Sequence, residues 1–147
     1  MVTQKKAFSG VYETLKSFIK KYVEDPKHRN PKKDYFIHAS FPNLAVYNYP
    51  FIILSSPDLT EKDRTFGTNR IKQISFEIIV YATDPAELDK ICDDLYYAFT
   101  TYASDLRKDG IYNIELDRSP YDWDLDEHGK KVYYRKFGLI ANVEWLS

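Results

Sequence analysis

The chain has one cysteine, Cys92, in 147 residues. No intramolecular disulfide can form and no cysteine-built zinc site is possible. Glycine is nearly as scarce, at five residues. No glycine-rich phosphate loop, dinucleotide fingerprint or Gly-x-Ser-x-Gly nucleophile elbow occurs. An excess of either charge is missing too. Lys and Arg number 21 against 22 Asp and Glu, a formal net charge of −1. No global field therefore draws a phosphate backbone, and sequence-specific reading of DNA or RNA is not expected. The local pairs Lys5-Lys6, Lys20-Lys21 and Lys32-Lys33 read as solvated ends of helices and loops. Nothing approaches the roughly 20 apolar residues that span a bilayer. The opening MVTQKKAFSG lacks the apolar core of a secretory signal. A soluble product made in the cytoplasm is the expectation.

What is present suits one globular domain covering residues 1–147. Hydrophobic residues make up 44% and charged residues 29%, enough apolar surface to offset the entropy of ordering. Tyrosine is heavily used, with 13 copies beside 9 Phe. Its ring packs while its hydroxyl stays wet, which serves both half-buried sheets and protein interfaces.

Residues from about Lys5 to Glu24 carry apolar positions at three- and four-residue steps: Phe8, Val11, Leu15, Phe18, Ile19, Tyr22 and Val23. That spacing predicts an amphipathic helix. Gly10 weakens its first turn, which allows a later start capped by Ser9. Asp25-Pro26 ends it. Tyr35 to Ser40 and Phe51 to Ser55 are short strand candidates, separated by an irregular stretch bounded by Pro42 and Pro50. The segment from Pro57 to Asn69 has high charge and no period, and is expected to be a long exposed loop. Arg70 to Ala82 is the clearest strand, with Ile74, Phe76, Ile78 and Val80 on one face. Asp84-Pro85-Ala86-Glu87 is a strong helix start. The stripe Leu88, Ile91, Cys92, Leu95, Phe99, Tyr102, Leu106 carries that helix to about Arg107. Cys92 on this stripe is expected to be a buried packing thiol. Asp109-Gly110 makes a turn. Ile111 to Arg118 is read as a strand with Tyr112, Ile114 and Leu116 on one face, and Ser119 to Lys130 as a second exposed loop. The last strand runs from Lys131 to Leu146, with Tyr133, Phe137, Leu139, Ala141, Val143 and Trp145 inward. The expected fold is α+β, in the order α-β-β-β-α-β-β, with two helices on one face of a mainly antiparallel sheet.

The polar residues show no familiar catalytic spacing. His28, His38 and His128 fall in a connector, a strand and a loop, with no metal-ligand spacing between them. Asp122, Asp124 and Asp126 have the spacing of the first three ligands of a calcium loop. Glu127 stands where its glycine belongs, however, and Tyr133 where its last acid belongs. A solvated acidic hairpin tip is expected instead. A metal-dependent nuclease wants a Glu-x-Lys pair on a strand. Glu77 is followed by Ile79 and Glu115 by Asp117 at that spacing. No enzyme activity, cofactor or metal is expected.

The order of elements resembles one family. An N-terminal helix leads to short strands ending in Ser-Pro and a charged loop. The strand ISFEIIVYATD then runs into the helix DPAELDKICDDLYYAF, followed by a DG turn, a strand, an acidic loop and KVYYRKFGLIANVEW. The pattern, from about Val11 to Trp145, looks like the tail terminator (tail completion) proteins of tailed bacteriophages. It rests on element order and texture rather than on an invariant motif. The resemblance implies a sheet packed on helices and a homo-oligomeric ring, typically a hexamer. Such a ring caps the tail tube, ends its polymerisation and joins it to the head connector or neck protein. DNA passes through without being recognised. It implies a virion component at the tail–neck junction, with no membrane partner. By the same resemblance, the two loops contact neighbouring subunits or the tube: Asp58, Glu61, Lys62, Asp63, Arg64 and Phe66 in the first, and Tyr121, Asp122, Trp123, Asp124, Asp126 and Glu127 in the second. The second loop matches no family feature residue by residue. Other readings stay open: a neck, head-completion or tail-tube-like structural protein, a cellular protein-binding module, or an enzyme such as a nuclease.

Overall fold

A computed structural model describes residues 7–60 and 71–144. The chain folds as α+β. Among the described residues there are three helices and seven strands in one mostly antiparallel sheet. The order is α1 (Ala7–Tyr22), β1 (Ile37–His38), β2 (Phe51–Leu54), β3 (Asp58–Leu59), β4 (Ile71–Ala82), α2 (Pro85–Thr101), α3 (Ala103–Lys108), β5 (Ile111–Arg118), β6 (Asp122–Leu125) and β7 (Lys131–Glu144). The sheet runs β1-β2-β4-β7-β5, with β3 beside β4 and β6 beside β7. Only β1 and β2 pair in parallel.

The strongest amphipathic pattern makes the centre of the sheet. On β4 the residues Ile74, Phe76, Ile78, Val80 and Ala82 are buried on one face. They sit across from β7, where Phe137, Leu139, Ala141 and Val143 repeat the alternation. Val11, Leu15, Phe18 and Ile19 of α1 close over this face with Leu88, Ile91, Leu95 and Phe99 of α2. Each such side chain contributes about 1.5–3 kcal/mol on burial, so this layer dominates the stability of the fold. Cys92 lies within it at 3% exposure. Burial pushes its thiol up to about 12, which leaves a packing group rather than a nucleophile.

Local chemistry explains the boundaries. Asp84 caps α2 by accepting from the amide of Ala86, and Pro85 takes the first turn. Gly110, at φ +86°, makes the turn into β5. A Cβ there would meet the Glu144 carbonyl oxygen at 2.7 Å, and Gly110 itself accepts from the Glu144 amide. Beyond α1, Asp25 accepts from the amides of Lys27 and Arg29 and pairs with the Arg29 guanidinium at 2.7 Å. Arg29 also donates to the carbonyls of Asn48 and Pro50, tying the connector to the entrance of β2.

Several expectations need correction. Ser9 and Gly10 are both helical, so Ser9 is not a cap. The helix expected to reach Arg107 breaks at Tyr102 (φ −109°, ψ 19°) into α2 and α3. There Tyr102 stacks on Tyr22 at 4.2 Å, while Asp105 accepts from Tyr22 and Lys21. A continuous stripe reports a shared face and does not register a kink. The strand expected over Tyr35 to Ser40 shrinks to two paired residues. In β5, Asn113 at φ 52° marks a one-residue bulge between Tyr112 and Glu115. Ile111, Ile114 and Leu116 therefore pack on the core, while Tyr112 pairs with Asn142. The first exposed loop also begins later than expected, because Leu59 is buried and Asp58-Leu59 pairs with Ser75-Ile74. Arg70, Trp145 and Leu146 lie outside the described residues.

Candidate partner surface

The stretch from Ser119 to Lys130 is exposed as expected but contains a short strand. Residues 122–125 form β6, paired with residues 131–134 of β7. Asp126 makes the turn of this ribbon: one carboxylate oxygen accepts from the amides of His128 and Lys130, both at 2.9 Å. Its other oxygen accepts from the Tyr49 hydroxyl at 3.2 Å. Desolvation alone would raise the Asp126 carboxyl. The Lys130 and His128 amides and Tyr49 outweigh it and hold the group below the usual carboxylate range. Gly129, at φ +74°, completes the turn. The acidic tip expected from the spacing is thus built by a single aspartate that spends one oxygen on the backbone and the other on the Tyr49 hydroxyl.

The two sides of the ribbon differ because strand residues alternate. Trp123 faces Tyr133 across the pair, and Leu125 faces Lys131. Lys131 lies 4.4 Å from the Trp123 ring centroid and 5.3 Å from that of Tyr133. Tyr121 packs against Tyr133, with the Arg135 guanidinium 6.0 Å away. These rings are not enclosed: Tyr121, Trp123 and Leu125 are 49%, 51% and 58% exposed. Neighbouring α2 adds the exposed Tyr96, beneath Arg118 at 6.0 Å. Asp122 and Asp124 alternate with the aromatics, each accepting only from the next amide in the chain. Glu127 is exposed beside His128. Aromatic and arginine groups of this kind, half-buried without a lid, are the usual anchors of protein interfaces.

Behind the ribbon, the sheet face turned away from the helices carries an aromatic floor. Phe51 meets His38, Phe41, Tyr49 and Tyr81 at 4.9–5.6 Å. Tyr81 continues to Tyr134 at 5.7 Å. The segment before β2, with a cis Tyr49-Pro50 peptide, lays Phe41 and Tyr49 over this floor. A groove of about 270 Å³ remains between Phe41, Tyr49, Tyr81, Tyr134, Asp124 and Lys136. Desolvation first, and the nearby Asp126 second, push the Tyr49 hydroxyl upward. It stays a neutral donor at physiological pH.

Of the first expected contact element only Asp58 lies among the described residues, and it stands away from the ribbon. Asp58 is exposed opposite Ser75 of β4, whereas the ribbon meets β4 around Ala82. Seven strand residues, about 24 Å, separate those points. Glu61, Lys62, Asp63, Arg64 and Phe66 lie outside the described residues. Tyr121, Asp122, Trp123, Asp124, Asp126 and Glu127 do share one ribbon. The aromatic groove was missed by the sequence reading, although Tyr81 and Tyr134, on the second face of strong strands, were its available signal.

The histidines and strand carboxylates weighed as chemical candidates stand apart among the described residues. No group of three or more His, Cys, Asp or Glu is placed to hold a metal ion. Glu77 faces Gly138 and Glu115 faces Ile140, on strands either side of β7; their backbones are about 12 Å apart. His38 packs edge-on against Tyr47 and Phe51 and contacts the Tyr35 carbonyl at 3.1 Å. Burial lowers its pKa. No helix among the described residues is long and apolar enough to cross a membrane. No family model matches the chain, and a search of curated proteins finds no match.

Proposed function

We propose that this chain is a structural subunit of a tailed virion, with no catalytic role. In this reading copies join into a ring, of the hexameric kind, at the tail–neck junction. The ring caps the tail tube, ends its growth and presents its other side to the head connector, while DNA passes through the lumen unread. The observation that carries the proposal is the ribbon around β6. It holds exposed Tyr121, Trp123 and Leu125 on the same short strand as Asp122 and Asp124, which have no cationic partner among the described residues. Such a surface suits a solid-state contact with another protein better than a reaction. An acidic surface near a conduit also keeps DNA from adhering.

A second reading has support from the groove bounded by Phe41, Tyr49, Tyr81 and Tyr134. That shape also fits a cellular module that holds a peptide. Cryo-electron microscopy of tailed particles made by the genome that encodes the chain separates the readings. A ring of this subunit between tube and connector is the expected result. Density within the neck or the tube points to the related structural roles, and absence from the particle overturns the proposal.

A further inference from the structure

We propose that aspartates along the outer edge of the sheet act as edge guards: each ties up the outward backbone amide that follows it, so that neither a second copy nor another extended chain can add a strand there. The device works in the same way in a ring subunit and in a peptide-binding module.

β5 ends the sheet order, and β6 prolongs its edge. Tyr133 and Tyr134 of β7 pair with Ala82 and Tyr81 on one side and with Trp123 and Asp122 on the other. β6 therefore lies on the same side of β7 as β5. Between them the Ser119 amide donates to the Lys136 carbonyl at 3.0 Å. Among the described residues no strand pairs with the outer side of β5 or β6. Such an edge presents a row of unpaired backbone groups, a template for a further strand. Here it also carries the exposed Tyr121, Trp123 and Leu125, and an apolar edge invites aggregation.

Aspartate is depleted from strands. Among the described residues four stand in strands: Asp58, Asp117, Asp122 and Asp124. All four lie in β3, β5 and β6, which are paired on one side only, and none in the central β4 and β7. Each accepts from the next amide in the chain: Leu59 at 2.8 Å, Arg118 at 2.9 Å, Trp123 at 2.8 Å and Leu125 at 2.8 Å. Backbone groups of a strand point alternately to its two sides. The amides of Thr60, Ser119 and Asp126 point inward, to the carbonyls of Gln73, Lys136 and Lys130. Those one residue earlier, of Leu59, Arg118 and Leu125, therefore point outward, as does that of Trp123, two residues before Leu125. These are the four amides that the aspartates hold.

Pro120, in the middle of the edge, has no amide to offer. Leu116 and Tyr121 carry no such cap, and each stands by an irregularity. Leu116 follows the bulge at Asn113. Tyr121 lies where three steps, Ser119 to Asp122, run against two, Lys136 to Tyr134. Bulged backbone is itself a poor template. At the capped positions a carboxylate is a charge-assisted acceptor. The carbonyl of an arriving strand must displace it and then sit beside its negative charge. Strand addition is blocked, while the Tyr121, Trp123 and Leu125 side chains stay open to side chains of a partner.

Two triple variants separate the cap from the charge. Asp117→Asn, Asp122→Asn and Asp124→Asn together keep an acceptor oxygen at each position and lose three charges. The matching triple Ala variant loses the same charges and the acceptors as well. All three positions are exposed, and circular dichroism checks that both variants fold. In dilute solution, amide exchange corrected for intrinsic rates is expected to be about 5-fold faster at Arg118, Trp123 and Leu125 in the Ala variant than in the Asn variant. On concentration, sedimentation and thioflavin T fluorescence are expected to show the Ala variant associating through added strands. The Asn variant is expected to keep the wild-type state. If the triple Ala variant does not fold, Asp117→Ala, Asp122→Ala and Asp124→Ala made singly give the same reading, each speeding exchange only at the residue after it. Unchanged exchange at these amides would overturn the caps. An Ala variant that keeps the wild-type state when concentrated, or an Asn variant that associates as strongly, would overturn the guarding role. Intermolecular pairing of β5 or β6 in the wild-type chain would do so too.

Discussion

The two faces of β4 are built from the same twelve residues and are used differently. Ile74, Phe76, Ile78 and Val80 point into an apolar layer shared with α1, α2 and β7. Ile79 and Tyr81, one residue out of phase, sit under a sparse cover of Phe41 and Tyr49 with a groove left open. The first face is uniform and closed, and its side chains are interchangeable in kind. The second mixes rings, carboxylates and a lysine, and its parts are held by single polar contacts. The closed core lies on one side of the sheet and the open aromatic groove on the other.

Substitutions on the two faces test that division. Phe137→Ala, at a fully buried site against the helices, is expected to cost about 3–5 kcal/mol, read as a large fall in the denaturation midpoint. A loss under about 1 kcal/mol would mean that the helix layer is not the main core. Arg29→Ala removes the bonds to Asp25, Asn48 and Pro50 that tie the connector to β2. A cost of about 2–4 kcal/mol is expected in urea unfolding.

The same pair gives a pH dependence. Burial alone would raise the Asp25 carboxyl, but the Arg29 guanidinium and the amides of Lys27 and Arg29 hold it below its ordinary value. A carboxyl depressed in the folded chain stabilises fully above its unfolded value of about 3.9 and loses that contribution as pH falls through the folded value. Stability is therefore expected to drop below about pH 4, and the acid limb of the profile to be shallower in Asp25→Asn. Equal acid limbs in the two proteins would remove the pair as a cause. Tyr49→Phe, which deletes the hydroxyl bonded to Asp126, is expected to lower Tm by about 2–4 °C and to speed amide exchange at His128 and Lys130. The smallest effect is expected at Trp123→Ala. With half of the ring already in water, stability changes by no more than about 0.5 kcal/mol. A larger loss would mean that Trp123 belongs to the margin of the helix-covered core, on whose side Tyr133 also packs.

Most of the helix-covered face was legible in the sequence because periodicity records which side of an element is buried. Ile74 to Val80, the Asp84-Pro85 start and the Leu88 to Leu106 stripe each announced a partner layer. Three features escaped for reasons the pattern cannot carry. The break at Tyr102 depends on Tyr22 stacking from another helix. The bulge at Asn113 inserts one residue and reverses the faces that simple alternation would assign. The ribbon looked like a loop because Asp122, Asp124 and Asp126 have low strand propensity, while Tyr133 and Tyr134 across the pair supply its support. Of the site, the acidic tip could be read from spacing. The aromatic groove could not, since it is assembled from segments far apart in sequence.

Cys92 has a practical corollary. Its sulfur is enclosed by the helix layer and stays protonated at neutral pH, so thiol-directed reagents meet a silent background. A cysteine introduced on the ribbon would then be the sole reactive handle, ready for a fluorophore, a spin label or a cross-linker without first engineering the native one away.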